Sequence, residues 1–93
     1  MKAAYEKKLQ AQLDEWAAEI DKLKAKADAA EGNAQVEYYK EVENLQSKKN
    51  EANEKLTELK HSSDHAWEDL KAGLDNAWHS LGSALKTASS RFK

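Results

Sequence analysis

Leu9, Leu13, Trp16, Ile20, Leu23, Ala27, Ala30 and Ala34 follow one another at steps of four and three, with mostly charged and polar residues between them. A strand turns side chains to alternate faces and cannot produce that spacing, whereas a helix gathers them into one seam. Glu19 with Lys22, Asp21 with Lys24, and Lys24 with Asp28 flank the seam at offsets that meet on a helix surface, as solvated support. The row continues beyond "EGN", residues 31–33, if one four-residue stutter is allowed, through Tyr38 to Val42 and Leu45. Gly32 costs a helix interior about 1 kcal/mol relative to alanine, and Asn33 suits a helix start, so a hairpin turn is permitted there. Continuity of the row favours one uninterrupted helical arm over 2–60, with 31–33 as the place for any bend.

The pattern then thins. In "QSKKNEANEK", residues 46–55, only Ala52 is apolar before Leu56 and Leu59 resume the row. A buried middle helix should not be this polar for so many turns, so the stretch weighs against a tightly packed three-helix bundle and towards a thin coiled coil. The strongest break is "HSSDHAW", residues 61–67, where Ser62, Ser63 and Asp64 all suit a helix N-cap. A strongly amphipathic run follows, acidic at its start (Asp64, Glu68, Asp69, Asp75) and basic at its end (Lys86, Arg91, Lys93). That order complements the helix dipole and predicts a helix over 64–91.

Within that run, "HAWEDLKAGLDNAWHSLGSALK" repeats itself at eleven residues: Trp67 with Trp78, Leu70 with Leu81, Leu74 with Leu85. Eleven residues make three helical turns with a drift of only about 20°, so these side chains form one nearly straight apolar stripe. Left open, it would exceed what soluble monomers tolerate. Covering it stabilises by roughly 1.5 to 3 kcal/mol per fully buried large side chain. Trp16, Trp67, Leu70, Leu74, Trp78, Leu81 and Leu85 are therefore the candidate interaction surface. The cover is to come from the preceding helix folded back, from another copy or partner helix, or from lipid. Ser80, Gly82, Ser83, Thr87, Ser89 and Ser90 on the polar side suit a lipid-packing sensor, and weak membrane-surface contact is the alternative reading. The acids of the first turns oppose it, since anionic headgroups would repel them.

Composition agrees with long helices. The 93 residues contain no proline and no cysteine, three glycines, and 34% charged side chains against 40% apolar. No disulfide or thiolate site is possible. Fifteen basic and seventeen acidic residues are mixed along the chain, for a net charge of −2, without the basic patch that nucleic acid requires. No apolar run resembles a signal peptide or membrane span, and a cytoplasmic protein is expected.

Candidate chemistry is sparse. His61 and His65 stand four apart near Glu58, Asp64 and Asp69, but the pair straddles the Ser-Ser break, and exposed histidines beside a turn are the plainer reading. His79, next to Trp78, reads as solvated. Glu37 with Glu41, and Glu54 with Glu58, are like-charge pairs that would need a dry pocket to become catalytic. With no phosphate-cradling glycine loop and no nucleophile–base signature, no enzyme, cofactor, metal or small-molecule substrate is expected. Tyr38 and Tyr39 read as seam and flank residues.

The stretches "MKAAYEKKLQAQLDEWAAEIDKLKAKAD", "EYYKEVENLQ" and "AWEDLKAGLDNAWHSLGSALKTASSRFK" resemble a family of small bacterial coiled-coil domain proteins of stress response, found in cyanobacteria and proteobacteria. The resemblance covers nearly the whole chain. It implies a soluble, cytoplasmic, all-helical protein associated with salt or other stress, with no assigned activity or cofactor and no functional residues to carry over. The chain departs from it at "EGN", where relatives read as uninterrupted helix, and at the more polar "QSKKN". Together these readings give an all-α protein, a coiled coil or helical bundle of two or three long segments in one domain over 1–93. Its expected role is that of a self-associating structural or interaction protein.

Overall fold

A computed structural model describes residues 2–92 as three helices: α1, Lys2–Ala29; α2, Gly32–His61; and α3, Trp67–Arg91. They lie side by side in a rod of 51 × 18 × 17 Å, an all-α helical bundle with no strand among the described residues. The helices run up, down and up. Lys60 Nζ donates to Gln10 Oε1, and Gln35 Nε2 to the carbonyl of Ala27, so α1 and α2 are antiparallel. Lys48 Nζ donates to Ser80 Oγ, and Arg91 pairs with Glu41, so α2 and α3 are antiparallel as well.

The row read at the start of the chain is the inner face of α1, with Leu9, Leu13, Ile20, Leu23 and Ala27 buried. Its expected continuation through 31–33 is not found. The chain reverses at Ala30 and Glu31, and Gly32 takes φ +63°, a left-handed conformation that side chains with a Cβ rarely adopt. The arm expected over 2–60 is two helices, and Ala34, the next member of the row, is exposed. A row that resumes after a gap shows only that each flanking helix has an inner face; it does not show that the helices are joined.

The polar stretch 46–55 belongs to a packed bundle after all. Helix α2 buries Val42, Leu45, Ala52, Leu56 and Leu59. The facing helices bring the bulk that α2 lacks: Trp16 of α1 and Trp78 of α3 approach at 6.5 Å between ring centroids. Two indoles in the middle of the rod allow α2 to contribute only Ala52 to the core over 46–55, since close packing constrains total volume and not its source.

Of the residues expected to cap the last helix, Ser63 closes the turn that leads into it, while the helix itself begins behind Ala66 without a side-chain cap. Ser63 Oγ accepts from the Ala66 amide, and the Ser63 carbonyl accepts from Ala66 and Trp67. The last helix, expected from residue 64, is regular from Trp67 after one turn over 64–66.

Candidate interaction surface

The Trp-Leu stripe is the inner face of α3, lying in the groove between α1 and α2. Leu74, Trp78, Leu81 and Leu85 are buried, with Ala88 and Phe92 continuing the stripe to the end of the rod. Trp67 and Leu70, at the start of α3, are half-buried against the same core, as is Trp16 on α1. The stripe and Trp16 thus meet in one place, and their cover is the chain's own first two helices. The outside is polar by comparison: the large apolar side chains left exposed are Val36 and Tyr39.

Aromatic contacts pin α3 at three levels. At the start, Tyr5 of α1 packs on Trp67 at 5.8 Å between centroids and donates its hydroxyl to Asp75 Oδ1 at 2.5 Å. Burial, then the hydrogen bond and the negative charge of Asp75, hold the Tyr5 phenol well above its ordinary pKa. Lys71 Nζ lies 5.5 Å from the Tyr5 ring centroid, within cation–π range. At the middle, Trp16 sits over Gly82, where an added Cβ would come within 3.1 Å of the indole Cζ2 and 3.3 Å of Cη2. At the far end, Tyr38 of α2 stacks on Phe92 at 4.2 Å, with Arg91 Nη1 on Glu41 Oε1 at 2.5 Å beside it.

Three of these participants carry weak sequence signals. Tyr5 stands four residues before Leu9 and is the first member of the α1 seam. Gly82 is an isolated glycine in an amphipathic run, a pattern that marks close approach of a neighbour. Phe92 falls eleven residues after Leu81. The acceptor role of the α1–α2 groove needed the turn at Gly32 and could not be read from periodicity.

Among the described residues, one core polar group lacks a partner: the Trp78 indole N–H is buried without an acceptor. Such a donor costs about 1 to 3 kcal/mol relative to a hydrogen-bonded one. Beside it, a groove of about 490 Å³ opens between α1 and α3, lined by Gln12, Trp16, Trp78, His79, Gly82 and Lys86, among others. Elsewhere, the exposed Tyr39 hydroxyl donates to Asp28, which raises its pKa chiefly through that bond. Among the described residues no three His, Asp or Glu side chains converge as a metal site, and His61 and His65 lie exposed at the α2–α3 turn. No described helix is long and apolar enough to cross a membrane.

Comparisons with protein-family models, with curated proteins and with solved structures find no match to this chain.

Proposed function

We propose that this protein is a non-enzymatic interaction and structural module that self-associates by helix-in-groove recognition, the α1–α2 hairpin being the acceptor and the Trp-Leu face of α3 the occupant. The observation that carries this reading is the fit itself. The groove holds an amphipathic helix along the length of the rod, while among the described residues the outer surface leaves only Val36 and Tyr39 as large exposed apolar groups. Recognition through a buried helix face is a general mode of protein assembly, and a second copy offers the same occupant for the same groove. A cytoplasmic protein with a helical partner, and without nucleic-acid or small-molecule substrates, is the corresponding setting. The link to bacterial stress response rests on the resemblance of the three stretches quoted above.

The test is the double substitution Trp67→Ala with Trp78→Ala, followed by circular dichroism and sedimentation over a concentration series. Helicity and assembly are expected to fall together. Unchanged mass and unchanged dichroism in the double variant would remove the α3 face from the mechanism.

A second reading, peripheral membrane contact by an α3 released from the groove, is favoured by one observation: the Trp78 N–H, which has no acceptor inside the bundle. A bilayer interface supplies acceptors to an indole, and the small outer residues Ser80, Ser83 and Thr87 suit packing defects over anionic headgroups. Flotation with small, highly curved vesicles separates the two readings, since a module that recognises only helices stays with the unbound fraction.

A further inference from the structure

The connection between α2 and α3 differs in kind from the one between α1 and α2. Gly32 at φ +63° fixes the first turn, and it is the only residue with positive φ among those described. The second connection, 62–66, contains no glycine and no proline. Its extended residue at the end of α2 is Ser62, at φ −80° and ψ 156°, and by Ala66 the backbone is already right-handed helical, at φ −76° and ψ −25°. Helical hydrogen bonding restarts from the Ser63 carbonyl. Nothing in the backbone chemistry of 62–66 forbids a continuous helix.

The apolar rows keep step across this connection. Counted in elevens, Leu45 and Leu56 lead to Trp67 and Trp78, and Leu59 leads to Leu70, Leu81 and Phe92. Ala52 leads through Ser63 to Leu74 and Leu85. Every member but Ser63 is buried or half-buried. A hairpin turn can rotate one helix freely relative to the next, so a hairpin does not require the phase to be kept. A single straight helix does, because only then do both inner faces lie on one side. The rows also resume across the first turn, from Ile20 to Val42, Leu23 to Leu45 and Ala27 to Tyr38, but there the left-handed Gly32 ends the helix, and the second connection has no such residue.

We infer that α2 and α3 straighten at Ser62 into one helix, and that two copies exchange α3, each seating its own in the other's α1–α2 groove. This rests on the self-association proposed above and names its route. The joined helix, from Gly32 to Arg91, is about 90 Å long at 1.5 Å per residue. Its antiparallel partner needs no new register. Lys48 and its partner Ser80 are equidistant in sequence from Asp64, and Glu41 and its partner Arg91 from Ala66. A two-fold axis through the connection therefore re-forms both pairs between copies, together with the contacts of Tyr5 and Trp16 to α3. Exchange of an identical element keeps the native interface and changes only the hinge.

Two contacts hold the hinge bent. The Ser63 cap of the turn is one. The other is the Lys2 ammonium, which donates to the Ser62 carbonyl at 2.5 Å, the acceptor that Ala66 N–H would use in a straight helix. Ser63→Ala and Lys2→Ala are each expected to tighten dimerisation, by about tenfold for loss of the cap in both chains. Asp64→Pro is expected to abolish the dimer and keep the monomer, since proline suits the first position of a helix but breaks the interior of a continuous one.

The experiment is sedimentation of the wild type and these three variants over a concentration series, with circular dichroism to show that each is folded. It is paired with a bismaleimide crosslink in a variant carrying Lys48→Cys and Ser80→Cys. The chain has no other cysteine. Dimers that crosslink between chains, favoured by Ser63→Ala and lost in Asp64→Pro, support the exchange. Dimers that crosslink only within each chain overturn the exchange and leave self-association standing. Monomers throughout, Ser63→Ala included, overturn both.

Discussion

Replacing Gly73 and Gly82 by alanine, one at a time, tests how closely α1 seats against α3. Both glycines lie inside α3, so each gains the same helix propensity from alanine, about 1 kcal/mol. They differ in what a Cβ would meet. At Gly73 there is nothing within 4 Å; at Gly82 the Trp16 ring stands at 3.1 and 3.3 Å. Those distances are inside ordinary carbon–carbon contact near 3.5 to 4.0 Å, so the indole must withdraw by a few tenths of an ångström and loosen its packing on Trp78. Overpacking of this kind costs about 1 to 3 kcal/mol, enough to cancel the propensity gain. Gly73→Ala should therefore raise the melting temperature by about 4 to 8 °C, the shift that 1 kcal/mol gives a domain of this size. Gly82→Ala should leave it unchanged or lower it. The assay is thermal unfolding followed at 222 nm, with tryptophan emission recorded alongside, which should change only for Gly82→Ala. Equal stabilisation by both substitutions would refute the seating of Trp16 over Gly82, and with it the account of how the rod is filled opposite Ala52.

Other expectations follow from the ends of the rod and from the half-buried Tyr5 phenol. Phe92→Ala should destabilise by about 3 kcal/mol, the low end for a buried ring because it lies at a helix end, whereas Arg91→Ala should cost less than 1 kcal/mol. Urea unfolding distinguishes them, and similar losses would mean that the Glu41 ion pair and not the Tyr38–Phe92 stack closes the bundle. Because the folded state holds the Tyr5 phenol neutral above its ordinary value of 10.0, the stability it contributes is complete below pH 10. It is lost as the pH rises beyond that, where the unfolded chain ionises first. Melting temperatures between pH 9 and 11 should fall less steeply in Tyr5→Phe than in the wild type. Leu81→Ala, at a fully buried site in the middle of α3, should cost about 2 to 5 kcal/mol, a large share of the 5 to 15 kcal/mol that a domain usually has.

The helical class, the seam of α1 and the stripe of α3 were legible in the sequence because each is a local periodicity that no strand imitates. Leu9 to Ala27, with Trp16 half-buried among them, and Leu74 to Phe92 line the core in the order their spacing implied. The connectivity was less legible. Gly32 can be tolerated within a helix at modest cost or can end one, and the choice depends on whether α2 has a face to lay against α1. That is a tertiary fact. The polar run 46–55 misled for a similar reason: counting apolar residues on one helix ignores Trp16 and Trp78, which reach in from the other two. The row that continues past Gly32 implied an unbroken helix there, and a left-handed glycine ends it; at the second connection, 62–66, the rows continue with no residue at positive φ.

Small-angle X-ray scattering at the outlet of a sizing column, run at low and high loading, measures the central claim most directly because it reads mass and length from the same particles. The account predicts a monomer about as long as the 51 Å rod at low loading. At high loading it predicts a dimer of twice the mass and a maximum dimension of at least about 90 Å, the length of a joined α2–α3 helix. A dimer no longer than the monomer, with two closed bundles side by side, would contradict it.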